Sequence, residues 1–156
     1  MQTPVTDINA HVKCVIAGSS QFAAVPANLI ANGNGDNTKV TGHYIDRQGY
    51  DSMVLAIAAF ANLDNAETLK FAVEMVESDD HSSWSTPAEV VQASTTLLTA
   101  TSATVFQGCT QIAVDLKSRK RYVRFDITPN LSRAGTDIAN WHAVAVLGGA
   151  QILPAV

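Results

Sequence analysis

The feature that most constrains the fold of this 156-residue chain is a strict alternation over residues 121–128. One side of the alternation carries Arg121, Val123, Phe125 and Ile127, and the other carries Tyr122, Arg124, Asp126 and Thr128. Because side chains of a β-strand point to opposite faces with a period of two, this pattern predicts a strand with one buried face. Pro129 lacks a backbone donor and is expected to end the strand. The apolar face requires a second layer, which other strands must supply.

Most of the chain after residue 43 carries further strand patterns. Residues 50–61 are apolar on both faces, as expected of a buried central strand, and residues 68–77 alternate. The turn residues 62–65 between them predict a hairpin. Further strands are predicted at 104–107, 111–117 and 140–147, the last closed by Gly148, whereas 87–93 carries conflicting helix and strand signals. About seven or eight strands separated by turns predict an all-β fold, an antiparallel β-sandwich or jelly roll.

Residues 1–43 differ from the rest and predict an extended N-terminal arm ahead of a β-sandwich domain at 44–156. The turn-forming run Asn32–Asn37 separates the apolar residues of the arm from the main strand pattern. Apolar groups in such an arm are stabilised most when a neighbouring surface covers them. The candidate interface residues of the arm are Val12, Ile16, Phe22, Leu29 and Ile30.

Composition narrows the classes of partner. The chain is 47% hydrophobic and 15% charged, with a formal net charge of −4 and a pI near 5.4. An acidic balance disfavours general binding to nucleic acid or anionic membranes. We find no uncharged apolar run of membrane-spanning length and no secretory signal pattern at the N-terminus, so neither is expected.

The two cysteines, Cys14 and Cys109, belong to no CxxC or Cys/His spacing. A metal site built on them is therefore not expected. We interpret them as small thiols in a protein made in a reducing cytosol, and a disulfide between them stays open.

The acidic residues Glu77, Asp79 and Asp80 present two alternatives. They could ligate Ca²⁺, which requires several oxygen atoms, or their carboxylates could cap the backbone amides of a turn. The spacing lacks the ligand pattern of an EF-hand, so the turn is favoured.

Ser52, Asp51 and His142 could be assembled on paper into a hydrolytic triad. No serine of the chain lies in a Gly-x-Ser-x-Gly sequence. The remaining histidines, His11, His43 and His81, share no metal-like spacing with His142. We therefore predict no catalytic residue, no cofactor and no metal.

Arg119, Lys120, Arg121 and Arg124 form a basic cluster. The cluster could contact an acidic partner surface or nucleic acid, or it could keep a turn and a strand edge soluble. We expect pairing with Asp46, Asp51 or Asp126, and a buried Arg121 would require it. Arg119 and Lys120 join the candidate interface residues.

Trp84 and Trp141 could serve as sugar-stacking platforms, but strand-like surroundings favour anchors in a core or an interface. We predict that Trp84 and Phe125 anchor the core. A carbohydrate-binding or host-attachment module, the alternative function, requires an exposed aromatic face.

Four segments occur in an order that resembles a known family. They are Asp46–Ser52, Glu77–Asp80 followed by Trp84, Lys120–Arg124, and Ala143–Gly148 with Pro154 near the end. This order resembles the head decoration (cement) proteins of tailed bacteriophages, over residues 38–156.

The resemblance implies a β-sandwich or jelly-roll-like subunit that binds the outer surface of a capsid shell. It implies the major capsid protein and neighbouring copies of the chain as partners. It also implies synthesis in the bacterial host cytoplasm, a place on the virion exterior, and no substrate.

Overall fold

The structure, a computed structural model, describes residues 12–19, 30–31, 36–85, 93–102, 104–132 and 137–150. The described residues form nine strands and no helix, so none of them belongs to a helix capable of crossing a membrane. The strands are β1 (Lys13–Ser19), β2 (Ile30–Ala31), β3 (Val40–Asp46), β4 (Tyr50–Leu63), β5 (Thr68–Ser78), β6 (Ala93–Thr99), β7 (Thr104–Asp115), β8 (Tyr122–Leu131) and β9 (Ile138–Ala150). Phe22, Leu29 and most of the ambiguous segment 87–93 lie outside the described residues.

Two antiparallel sheets stack around one core, which confirms the predicted all-β sandwich. The first sheet, sheet I, has the strand order β1-β9-β4-β7, and β2 pairs with another part of β9. The second sheet, sheet II, has the order β3-β8-β5-β6. Each sheet buries its inward residues against the other, because an apolar strand face is stable only when a second layer covers it.

The core follows the predicted alternation of β8. Val123, Phe125 and Ile127 are fully buried. Trp141 on β9 is also fully buried and meets Phe71 edge-on, with ring centroids 5.7 Å apart. Opposed aromatic rings from the two sheets thus form the centre of the core.

The prediction that Trp84 anchors the core is wrong. Trp84 lies in the loop after β5 and is half-buried, and the guanidinium of Arg124 lies 4.6 Å from the centroid of its ring. Trp141 takes the core position instead, because it occupies an inward site of a strand that is paired on both sides.

The predicted hairpin between β4 and β5 is also wrong, since the two strands belong to different sheets. The intervening turn is tied to the β6–β7 connection, where the Ala66 amide donates to the Ala100 carbonyl at 3.0 Å. Ala100 donates in turn to the carbonyl of Glu67 at 2.8 Å. Both strands bury one face in the same core. Two strands can do this when they lie in opposing sheets as well as when they pair side by side, so the apolar pattern does not distinguish the two arrangements.

Pro129 does not end β8, which continues to Leu131. The Pro129 carbonyl accepts a bond from the Asn37 amide on the β3 side, beyond the last paired position, Val40 opposite Ile127. The backbone N and O atoms of a strand residue point towards the same neighbouring strand. The N–H group that Pro129 lacks would therefore point towards β3, at a position where β3 no longer pairs with β8.

Two other predicted strand limits are wrong. The predicted strands 104–107 and 111–117 form one strand that ends at Asp115, because β7 pairs continuously with β4 through Gly108 opposite Ala59. The last strand continues past Gly148 to Ala150, with Gly149 in the left-handed region at φ 66°. Backbone pairing with β4 sustains both stretches where the side-chain pattern is interrupted.

The described part of residues 1–43 is paired into the sandwich. β1 pairs with β9 from Lys13 opposite Leu147 to Ser19 opposite His142, and Ala17 is fully buried. The predicted boundary at residue 43 falls inside β3. The described part of residues 1–43 therefore supplies strands to both sheets. That this region also contacts partners stays a prediction.

Candidate functional site

The outer side of sheet I is an exposed apolar surface, which we call the apolar face. Its apolar members are Cys14 and Ile16 on β1, Val144 and Val146 on β9, Val54, Ala56, Ala58 and Phe60 on β4, and Val105, Cys109 and Ala113 on β7. Its polar members are Gln107, Gln111, Asn140 and His142. None of these described residues carries a formal charge at neutral pH.

Strand register makes the apolar face continuous. Val54 lies between Ala113 and Val146, Ala56 between Gln111 and Val144, Ala58 between Cys109 and His142, and Phe60 between Gln107 and Asn140. Directly opposed residues have Cβ atoms ~5 Å apart, so these rows touch across the sheet. The row of Ser52 and Asp115 begins the charged end of the sheet.

Three side chains stand out of this surface. Ile16 is 63% exposed, Phe60 51% and Val105 52%. With strands ~4.8 Å apart and a rise of ~3.3 Å per residue, the apolar face covers on the order of 500 Å². A patch of this size is comparable to the largest apolar patch on a typical soluble protein, which is often functional.

The alanines and Gly108 leave a depression of about 420 Å³ in the apolar face, beside Phe60. It is lined by Ala58, Ala59, Phe60, Gln107, Gly108, Cys109, Asn140 and His142. The lining is apolar or neutral, so the site is suited to burying a side chain.

The outer side of sheet II is charged, in contrast to sheet I. Lys39 pairs with Glu74 at 3.0 Å, and Arg124 pairs with the largely buried Asp126 at 2.9 Å. The Glu74 carboxylate accepts a hydrogen bond from Lys39 and raises the pKa of that amine. The outer side of sheet II therefore carries ion pairs, whereas the described residues of the apolar face of sheet I carry no formal charge.

One end of the sandwich gathers three of the four segments that carry the family resemblance. The Arg47 guanidinium donates to the carbonyl oxygens of Arg119 and Lys120, the latter at 3.0 Å. The Lys120 amine pairs with Asp79 at 2.8 Å, and its amide donates to Glu77 at 3.2 Å. The predicted interface residues Arg119 and Lys120 therefore lie in the turn before β8 and make contacts within the chain.

Arg121 lies just before β8 and is exposed instead of sharing the buried side of the alternation. Its guanidinium bonds to both oxygens of Asp46, the shortest contact being 2.8 Å. This bond lowers the pKa of the Asp46 carboxyl below its ordinary value of 3.8. Two of the three predicted acidic partners, Asp46 and Asp126, are thus paired with arginines.

The acidic residues near residue 80 form a capped turn. One oxygen of Asp80 accepts bonds from the amides of Ser82 and Ser83 at 3.0 and 2.8 Å, and from the Ser78 hydroxyl at 2.9 Å. These donors lower the pKa of Asp80, the Ser83 amide contributing most. Within the described ranges, no three acidic, histidine or cysteine side chains converge as a metal site would require.

The candidate triad of Ser52, Asp51 and His142 is not assembled. Ser52 is in register with Gly148, whereas His142 is in register with Ala58. Six residues along β4 separate these positions by ~20 Å at the usual strand rise. His142 is instead an outward residue of the apolar face.

A cluster of aromatic rings lies at one end of sheet II. Tyr44 is 54% exposed and stacks on His81, with centroids 5.1 Å apart, and Tyr122 meets both rings edge-on. The Arg121 guanidinium covers the Tyr122 ring at 5.0 Å. Among the described aromatic residues there is no coplanar exposed Trp/Tyr pair, the observation that would have favoured a carbohydrate-binding module.

Both cysteines are free thiols on the apolar face. Cys14 lies on β1 and Cys109 on β7, the two outer strands of the four-strand order. Two strands intervene, so their Cα atoms are at least ~14 Å apart, and a disulfide within the chain requires less than ~7 Å. The pairing left open by the sequence is therefore not formed.

The apolar face itself was missed by sequence reasoning. The run 50–61 was interpreted as a strand buried on both faces, yet its outward members Ala58 and Phe60 are exposed. The sequence does show that both faces of this run and of Ala143–Leu147 are apolar. Its meaning depends on what covers the second face, and a strand pattern does not specify that.

No protein-family model and no curated protein matches the sequence. Among solved structures, a chain of the infectious bursal disease virus Gx strain aligns with a TM-score of 0.47 at 11% identity, covering 93% of this chain and 34% of that chain. The PBSX exported protein XepA aligns with a TM-score of 0.41 at 17% identity, covering 99% and 42% respectively. The Triatoma virus empty capsid aligns with a TM-score of 0.44 at 11% identity, covering 99% and 97%. The chain spans about a third of the length of the bursal disease virus chain.

Proposed function

We propose that the protein is a structural protein of a tailed-phage virion that binds the outer surface of the capsid shell and stabilises it. The observation that carries the proposal is the apolar face, four strands wide and uncharged. Its chemistry is burial, which fits a role in assembly. The four family-like segments support the same assignment, and three of them meet at one end of the sandwich.

Stabilisation of a shell follows from mass action. A protein that binds the closed shell and not its separated subunits shifts the equilibrium towards the closed form. Each apolar square ångström that leaves water contributes ~25 cal/mol, and the many copies on a particle add their contributions. No substrate turnover is part of this role.

The proposed partners are the major capsid protein and neighbouring copies of the chain. The proposed contact residues remain those of the sequence prediction: Val12, Ile16, Phe22, Leu29, Ile30, Arg119 and Lys120. Ile16 is a projecting member of the apolar face, and Val12 is half-buried just before β1. The proposed location is the virion exterior, after synthesis in the bacterial host cytoplasm, with no membrane or nucleic-acid partner.

Co-sedimentation with empty shells tests this function. We expect the purified protein to pellet with shells assembled from the major capsid protein of the same phage. We also expect it to raise the temperature at which those shells open, because added interface must be broken first. A protein that stays in the supernatant and leaves the opening temperature unchanged would refute the proposed function.

A further inference from the structure

We infer that the apolar face is covered by the apolar face of a second copy of this chain, so that two sheets I stack across a two-fold axis. The inference rests on the proposed function, which includes neighbouring copies among the partners, and it assigns the apolar face to that contact instead of to the shell. It concerns the free protein and can be tested without shells.

The charge distribution favours a second copy. In a two-fold pair the same patch contributes both sides of the interface, so any charge on it faces a like charge nearby. Like charges brought together repel, whereas an uncharged patch is complementary to itself. The described residues of the apolar face carry no formal charge, while the ion pairs Lys39–Glu74 and Arg124–Asp126 lie on the other sheet.

The shape of the face is also suited to stacking. Ala56 and Ala58 occupy its middle rows and keep the surface low, and Phe60 stands beside the depression. Sheets pack face to face at ~10 Å when their facing side chains interdigitate. The inner side of sheet I already packs in this way on sheet II.

The area is sufficient for a specific pair. Two faces of on the order of 500 Å² together bury about 1,000 Å², which reaches the lower limit of specific interfaces. The projecting Ile16, Phe60 and Val105 add accessible area to this flat measure.

Two matched substitutions separate this face from the rest of the surface. Ala58→Glu places a carboxylate in the middle of the apolar face, in register with Cys109 and His142. Ala72→Glu places the same group on an outward, exposed position of β5 in sheet II. The chain also carries its own probes, because its two thiols, Cys14 and Cys109, both lie on the apolar face.

The experiment measures molar mass by light scattering, together with the rate of thiol labelling over a dilution series. We expect wild type and Ala72→Glu to have the mass of two chains and to label more slowly as concentration rises. We expect Ala58→Glu to fold with a similar melting temperature but to dissociate about 100-fold more readily, because its carboxylates would be buried without partners. Its thiols should label at the rate of the dilute wild type.

A monomeric wild type whose thiols react freely at all concentrations would overturn the inference. A monomer with slowly reacting thiols would overturn it as well and would mean that the same chain covers the face. Shell binding is scored separately. A monomeric protein that still pellets with shells would refute the pair and leave the proposed function intact. A pair that does not pellet with shells would support the pair and refute the proposed function.

Discussion

Replacing Gly42 with alanine is expected to lower the free energy of unfolding by about 3 kcal/mol or more, or to prevent folding. A Cβ at this position would lie 2.3 Å from the carbonyl oxygen of Ala17 and 2.4 Å from that of Phe125. Both atoms belong to backbone, one in each sheet, so no side-chain rotation relieves the contact. Gly42 lies where the register of β3 shifts, and there β1 approaches from the other sheet.

Gly18→Ala is the matched control. Its added Cβ would meet the ring of Trp141 at 3.6 Å, an ordinary van der Waals distance. Urea unfolding followed by circular dichroism should therefore show a large loss of stability for Gly42→Ala and a small change for Gly18→Ala. Equal stability of the two variants would show that the sheets do not approach each other at Gly42 as described.

Trp141→Ala is expected to lower the free energy of unfolding by ~3–5 kcal/mol, the usual range for deleting a buried aromatic side chain. Trp141 is fully buried between the sheets and packs against Phe71. Trp84→Ala removes a half-buried ring whose described partner is Arg124, and it should cost about 1 kcal/mol or less.

Each variant keeps one tryptophan, so fluorescence during denaturant unfolding can report on each site. The remaining emission should be blue-shifted in Trp84→Ala, where Trp141 persists, and closer to that of water-exposed indole in Trp141→Ala. A Trp84→Ala variant as unstable as Trp141→Ala would contradict the core described here.

The local features of the fold could be predicted from sequence. The alternation of β8 correctly placed Val123, Phe125 and Ile127 in the core, since period-two patterning is a property of neighbouring residues. The pairing of β4 could not be predicted in the same way. The alternation of β4 indicates which of its residues face inward. It does not indicate whether β5 pairs with β4 or lies across the core from it.

The candidate site was harder to predict for a related reason. The sequence indicated that both faces of residues 50–61 are apolar, and apolar strands in one chain are most often buried in that chain. The structure leaves Phe60 exposed, and we infer that a second copy supplies the layer that covers it. The placement of the tryptophans was also wrong, because Trp84 lies in the loop after β5 whereas Trp141 occupies an inward site of β9.

Imaging of intact phage particles tests the proposed function most directly. We expect density for a two-sheet sandwich on the outer surface of the shell, at repeated positions around the particle, with Ile16 and Phe60 in a protein interface. Particles that carry the chain only inside the shell, or that lack it altogether, would contradict the account.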